Sequence, residues 1–464
     1  MKRSHLVALV AGATALVVTT LGVQAPAQAQ APAPAGTGAL SADDQFDQYI
    51  VQFKEGSNHS VALRRLGDRL GIQFTEKRQL AIGAHVITVD RRAAGVLAAL
   101  KAMGEVEYAE PDLPMYAMSN PTDPLYNQQW HYFEPTGGLN LPGAWDLATG
   151  TGVVVAVIDT GRTSHPDLDA HWLPGYDFIS SATTARDGNG RDNNPQDQGD
   201  WFNAGECGSA TPSNSSWHGS HVAGTVAAVA NNGIGVAGVA FNAKVVPVRV
   251  LGKCGGTSSD IADAIVWASG GAVSGVPTNA NPAKVINMSL GGSGSCPQAY
   301  RRAIQGANNR GTTVVVAAGN SNANASGFAP ANCAGVITVA ATDRDGNRAF
   351  YSNFGNTVEV SAPGGEVRLE TDPPGTRSTP QNGVLSTLND GATTPGNPIY
   401  FTYMGTSMAA PHVAGLVALM LGKRALTPAQ VESALKANAR ALPGTCTGGC
   451  GAGIIDAART VGAI

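Results

Sequence analysis

The 464-residue sequence is short of charge: Asp, Glu, Lys and Arg make up 14% of it, against about 25% in an average soluble domain. It has no basic surplus. Its 30 Lys and Arg stand against 34 Asp and Glu, a formal net charge of -4. That excludes a general nucleic-acid binder, whose surface must be basic. After Val23 no stretch approaches the ~20 apolar residues of a membrane-spanning helix. No cysteine precedes Cys207. The sequence lacks a P-loop, an H-E-x-x-H and a G-x-S-x-G, which argues against NTPase, zincin and lipase chemistry. Gly233-Ile234-Gly235-Val236-Ala237-Gly238 has the G-x-G-x-x-G form, but it follows a helical stretch and not a strand, so it fails the dinucleotide test. There is no internal repeat.

Glycine, by contrast, is abundant at 58 residues, where ~7% is usual. Hydrophobic residues are 43%, too many for a disordered chain. Low charge and many glycines fit an extracellular protein. The N-terminus agrees with that. Met1-Lys2-Arg3 is followed by an uncharged apolar run from Leu6 to Val23 and by Ala27-Gln28-Ala29, the three parts of a signal peptide over residues 1–29. A membrane anchor fits less well, because Thr14, Thr19 and Thr20 dilute the run and no basic residues flank its far end. The mature protein is therefore expected to be secreted, soluble and free of the membrane, and its six cysteines to form disulfides.

Residues 30–45, rich in Ala, Pro and Gly, read as a linker. Residues 46–118 read as a small α+β domain. Gln48–Phe53, His85–Val89 and Val106–Pro111 alternate as strands, and Val61–Leu70 and Ala93–Leu100 have helical spacing. The expected order is β-α-β-α-β, an open sheet with helices on one face. Residues 114–120 read as an exposed connector. From 119 to 464 the pattern is α/β. Val153–Ile158, Lys244–Leu251, Val285–Leu290, Thr312–Ala318 and Val336–Ala341 are continuous β-branched runs, as in strands covered on both faces. Helical stretches at His221–Ala230, Ile261–Ser269 and Gln298–Asn308 alternate with them. The fold class is α/β, a mostly parallel sheet with helices on both faces. Thr427-Pro428-Ala429-Gln430 reads as a capping box. The last helical pattern ends near the C-terminus, so no further domain is expected.

Three segments carry chemistry. Val153–Ile158 runs into Asp159-Thr160-Gly161, which puts a carboxylate at the carboxyl end of a strand, where parallel sheets gather ligands. A loop-capping Asp would look the same. His218-Gly219-Ser220-His221 opens a helix with small residues, and the positive helix terminus favours a neutral, basic imidazole. Both histidines could instead be structural, or ligate a metal, though no third ligand sits at diagnostic spacing. Gly405-Thr406-Ser407-Met408-Ala409-Ala410-Pro411-His412 is a tight turn into an apolar helix, with Ser407 at the positive helix end. An ordinary N-cap serine is the plain alternative.

Together, in the order Asp, His, Ser, these segments resemble the subtilisin-like serine proteases. Val316-Ala317-Ala318-Gly319-Asn320, Asn287-Met288-Ser289-Leu290-Gly291-Gly292 and Val360-Ser361-Ala362-Pro363-Gly364 are further matches. The resemblance implies Ser407 as nucleophile, His218 as general base, Asp159 as its orienting partner, and Asn320 with the Ser407 N–H as oxyanion donors. It implies a peptide bound along Ser289, Leu290 and Gly291 as an added strand. The small Ala317 and Gly319 suggest a roomy apolar pocket for large apolar or aromatic side chains. Residues 46–118 resemble the inhibitory propeptide of such zymogens, with cleavage expected between about Pro114 and Asn120.

The family also implies structural calcium and no organic cofactor. Asp187, Asp192 and Asp197 lie in a loop of turn residues that suits a hard cation, although no Glu closes an EF-hand pattern. A solvated polar loop is the alternative. Six cysteines allow fifteen pairings. Cys446 and Cys450 flank Gly448-Gly449 and suit a local bridge, Cys207 and Cys254 flank the cleft segments, and Cys296 and Cys333 remain. The expected partners are protein or peptide substrates and the chain's own propeptide, acting on a monomer. A secreted, catalytically inactive binding protein on the same fold is the competing reading, and the intact Asp159, His218, Ser407 and Asn320 set counts against it.

Overall fold

A computed structural model describes residues 46–112 and 120–464, in two compact units divided between Asp112 and Leu113. The signal peptide, the linker and most of the connector lie outside the described residues. Among those described, no helix is long and apolar enough to cross a membrane.

The first unit runs β1 (Gln48–Phe53), α1 (His59–Leu70), β2 (Phe74–Gln79), β3 (His85–Val89), α2 (Val96–Lys101) and β4 (Val106–Pro111). The expected β-α-β-α-β order was one strand short. β2, Phe-Thr-Glu-Lys-Arg-Gln, is an edge strand almost wholly exposed, so it carries no apolar alternation to read. The strand order is β2-β3-β1-β4, with every neighbour antiparallel. β1 buries alternate residues, and Tyr49, Val51 and Phe53 meet Leu63 and Leu66 of α1 and Val96, Leu97 and Leu100 of α2. The Asn58 side chain caps α1, and Gly71 ends it in the left-handed conformation at φ 66°.

In the second unit, β5 (Val154–Asp159), β6 (Tyr176–Asp177), β7 (Lys244–Arg249), β8 (Val285–Met288), β10 (Thr313–Ala317), β12 (Ile337–Thr342) and β13 (Val360–Pro363) form one parallel sheet. Its order is β13-β12-β10-β8-β5-β7-β6. Two small antiparallel pairs accompany it, β9 (Gly292–Ser293) with β11 (Phe328–Ala329) and β14 (Val384–Asn389) with β15 (Pro398–Tyr403). Both faces are buried. Val155 and Val157 enter one core, with the helices His218–Ala227 and Thr406–Lys423, while Ala156 and Ile158 enter the other, with Ser258–Ala268 and Gln298–Asn309. The His218 helix begins and ends three residues before its expected bounds, because Ala228 turns extended at ψ 143°. Thr427 and Gln430 form the capping box.

Three disulfides join Cys207 to Cys254, Cys296 to Cys333 and Cys446 to Cys450.

Candidate active site

Consecutive ends of the parallel sheet supply the site. Asp159 is the last residue of β5, Ser289 follows β8, Asn320 lies just beyond β10, and His218 and Ser407 stand in the first turns of two helices on one face. Parallel strands end with their carbonyls on one side, so the loops there converge. A cleft of about 1070 Å³ is lined by His218, Ser407, Asn320, Ser289, Leu290, Gly291, Ala317 and Gly319, among others.

Asp159 is fully buried. Its Oδ1 accepts hydrogen bonds from the Thr160 N–H and from His218 Nδ1, each at 2.8 Å. Two contacts hold the histidine helix against β5. The Gly219 N–H donates to Thr160 Oγ1 at 2.9 Å. A Cβ on Gly219 would meet the Gly161 carbonyl at 2.4 Å, so only glycine permits this approach.

The helix terminus alone pointed to a depressed His218 pKa. The balance runs the other way. Burial pushes the imidazole down, but the charge and hydrogen bond of Asp159, then Asp200 and Asp197, outweigh it and hold His218 above 6.5. Neutral His218 is therefore lost as pH falls through a midpoint above 6.5. Asp200 accepts from the Ser216 N–H at 2.6 Å and from Ser216 Oγ at 2.8 Å, and it borders the cleft. Asp200→Asn keeps this shape and removes the charge. It is expected to move the acidic limb of kcat/KM to lower pH, read from a pH–rate profile on a peptide substrate.

His221, one turn along, is buried, and its Nε2 meets the Phe401 carbonyl at 3.0 Å. Burial pushes its pKa to about 3. It holds the β14–β15 hairpin and forms no ligand cluster with His218 among the described residues.

Ser407 is the second residue of its helix, after Gly405 at φ 154°. Its hydroxyl donates to the Ser289 carbonyl at 3.2 Å, and its carbonyl accepts from Ser289 Oγ at 2.8 Å. Among the described residues no hydrogen bond joins Ser407 to His218; side-chain contacts in such clefts are often loose without substrate. Asn320 Oδ1 accepts from the Thr406 N–H at 2.8 Å and from Thr406 Oγ1 at 2.9 Å. A backbone donor fixes which end is the oxygen, so the amide nitrogen is left to the cleft. A Cβ placed on Gly405 would lie 3.5 Å from Asn320 Nδ2 and 3.6 Å from the Ser407 nitrogen. Two N–H donors thus flank one small space, the arrangement an oxyanion needs.

Residues 150–453 match the sequence profile of the Subtilase family. The chain belongs to this family. It is 54% identical over 445 residues to the "Extracellular protease" of Xanthomonas campestris pv. campestris, covering 91% of this chain and 73% of that one. It is 42% identical over 442 residues to the "Extracellular basic protease" of Dichelobacter nodosus, covering 90% and 70%. A solved structure titled "Proteases from Pseudoalteromonas arctica PAMC 21717" aligns at 58% identity with a TM-score of 0.71, over 74% of this chain and 99% of that one. This subtilase is a subtilisin-like serine endopeptidase with the α/β fold read from its strand pattern.

Three roles escaped the sequence reading. Thr160 and Thr406 look like filler in their motifs, yet each hydroxyl locks a catalytic-motif element to its neighbour. Asn287 Nδ2 donates to Ser289 Oγ at 2.9 Å, which orients that hydroxyl toward the Ser407 carbonyl.

Among the described residues Asp187, Asp192 and Asp197 do not form a group with ligand atoms all within 4.8 Å of one another. Asp187 Oδ2 accepts from Arg249 Nη1 at 3.1 Å, and Asp192 Oδ1 accepts from the Asn194 N–H at 2.8 Å within its own turn. Asp197 is buried, and its Oδ1 accepts from the Gly199 N–H at 2.9 Å. Burial pushes its carboxyl up to about 7. The charge among these carboxylates is a fully buried guanidinium. Arg249 also meets Asp177 Oδ2 at 2.5 Å and donates to the Ala185 carbonyl. This donor set does not fit a shared calcium ion. Arg249→Met would leave Asp177 and Asp187 unpaired in the interior, and is expected to cost about 3–5 kcal/mol in urea unfolding.

Proposed function

We propose that this subtilase is a secreted zymogen that cleaves its own connector and then hydrolyses protein substrates through Asp159, His218 and Ser407. The observation that carries the reading is the 2.8 Å bond from the buried Asp159 to His218, at the head of the cleft that Ser407 and Asn320 line. Ser407 Oγ attacks the scissile carbonyl while His218 Nε2 takes its proton. Asp159 keeps the other ring nitrogen protonated and stabilises the imidazolium. Asn320 Nδ2 and the Ser407 N–H receive the oxyanion. His218 then protonates the leaving amine, and water, activated by the same imidazole, releases the acyl group. The substrate backbone lies along Ser289, Leu290 and Gly291, and its side chain enters the pocket floored by Ala317 and Gly319.

Residues 46–118 act as the inhibitor that is removed, with the cut between about Pro114 and Asn120. The curated relatives match through this first unit, whereas the solved protease chain matches a length close to that of the second alone. Supports for export are the leader pattern and the relatives' extracellular titles. The test is fluorophosphonate labelling of the secreted protein beside Ser407→Ala, with intact masses. Label on Ser407, and loss of the first unit only in the active form, is the expected result. Absence of label on folded, processed protein would favour an inactive binding scaffold, and an N-terminus at Gln30 in active enzyme would remove the zymogen reading.

A further inference from the structure

The first unit brings together three groups from three elements. His59 is the first residue of α1, Glu76 lies on β2, and His85 opens β3. Glu76 Oε2 is 3.2 Å from His59 Nε2, and Oε1 is 2.7 Å from His85 Nδ1. The two imidazoles stand 4.5 Å apart, and both rest on the Phe53 ring, at 5.3 and 5.5 Å. One nitrogen from each histidine and one carboxylate oxygen lie within 4.8 Å of one another.

The backbone aims these groups. The β2–β3 register shifts between Glu76 and Arg78, which sets Glu76 opposite Ile87. Ile87 is buried beneath the helices, and His85, two residues away, shares its face. Without this bulge the register of Arg78 and Gln79 would carry on, and Glu76 would face Thr88 on the opposite side of the sheet. The bulge therefore turns a carboxylate of an exposed edge strand under the start of α1. Phe53 backs both rings on the apolar side, and the His85 side chain is only 11% exposed.

We propose that His59, Glu76 and His85 form a binding site for a divalent transition-metal ion of the zinc class. Two imidazole nitrogens and one carboxylate oxygen are a zinc donor set with a fourth position left for water. Imidazole donors also suit copper and nickel, while calcium and magnesium prefer oxygen ligands throughout. Bonds of about 2.0–2.2 Å place tetrahedral ligands roughly 3.3–3.6 Å apart, so the observed 3.2 and 2.7 Å separations need only a small outward rotation. The ion would tie α1 to the β2–β3 edge and stabilise the folded unit, because the unfolded chain holds no preformed site. This site does not depend on the proteolytic reading of the cleft.

The test uses the full-length precursor carrying Ser407→Ala, selected by intact mass for a chain that retains residues 46–112. Zinc uptake is measured by equilibrium dialysis, and the geometry by the visible ligand-field bands of Co²⁺. One equivalent of zinc and a tetrahedral cobalt spectrum are expected. His59→Ala with His85→Ala should abolish both. Glu76→Gln, at an exposed strand position that leaves the core intact, should weaken binding by more than the 10–100-fold typical of losing an outer partner. Circular dichroism checks that each variant is folded. Equal zinc uptake by parent and variants, or none by the parent, would overturn the site and leave a glutamate hydrogen-bonded to two imidazoles only.

Discussion

Asp159→Asn is expected to lower kcat about 10⁴-fold with little change in KM. The side chains are nearly isosteric, and the fully buried Asp159 has no room to rearrange. Its Oδ1 accepts from both Thr160 N–H and His218 Nδ1, and Oδ2 is buried without a hydrogen-bond partner. An asparagine oxygen held by Thr160 can still accept from Nδ1. Its NH₂ then occupies the unpartnered position and, if the amide flips, meets Nδ1 as a donor. That forces the proton to Nε2, where the nitrogen can no longer take the Ser407 proton. The imidazolium formed during attack also loses its counter-charge in a dry site. The measurement is single-turnover kinetics on a peptide ester, using variant whose connector has been cut in trans. The same loss should leave the Asp159→Asn precursor at its full mass during expression. A drop of less than tenfold would show that Asp159 is not the partner on which His218 depends.

Asn320→Ala should cost about 10²–10³ in kcat, or roughly 2.7–4 kcal/mol of transition-state binding, the size known for such a donor in subtilisins. KM should hardly move, because in the proposed mechanism the amide meets the oxyanion and not the ground-state carbonyl. Asn320 is exposed, so its truncation opens no core cavity. Its Oδ1 does hold Thr406 N–H and Oγ1 at 2.8 and 2.9 Å, in the turn that carries Ser407. Asn320→Asp separates the two roles. It keeps both acceptor bonds and replaces the donor by a negative charge, so it should be at least as slow as Asn320→Ala while fluorophosphonate-free protein melts like the parent. Loss of folding in both variants would assign Asn320 to the turn and not to the oxyanion.

Much of this protein is legible without coordinates because its chemistry sits in short, dense segments. Strand β5 reads from its β-branched run, and its terminal Asp159 is then placed by the geometry of a parallel sheet. The turn at Gly405 and the helix behind Ser407 read from small and apolar residues in sequence. Strand β2 did not read, since a polar edge strand takes its stability from a neighbour's backbone and needs no apolar face. For a related reason, composition alone does not decide what neutralises Asp187. An aspartate-rich loop has one composition whether a cation or a guanidinium neutralises it, and Arg249 arrives from a strand 62 residues beyond Asp187.

Residue order alone settles the main strands and helices, the family and the identities of the candidate catalytic groups, because periodicity, caps and tight turns act over a few residues. It settles the chemistry each group can offer, but not the field it works in. Folding decides that His218 sits above its ordinary pKa, since that depends on three carboxylates brought near one partly buried ring. Folding likewise decides that the Ser407 hydroxyl rests on the Ser289 carbonyl, and that one bulge turns Glu76 toward two histidines. These outcomes rest on register and close packing between segments far apart in the chain. Electrostatic and hydrogen-bond energies change steeply over an ångström, a distance that no local pattern of residues encodes.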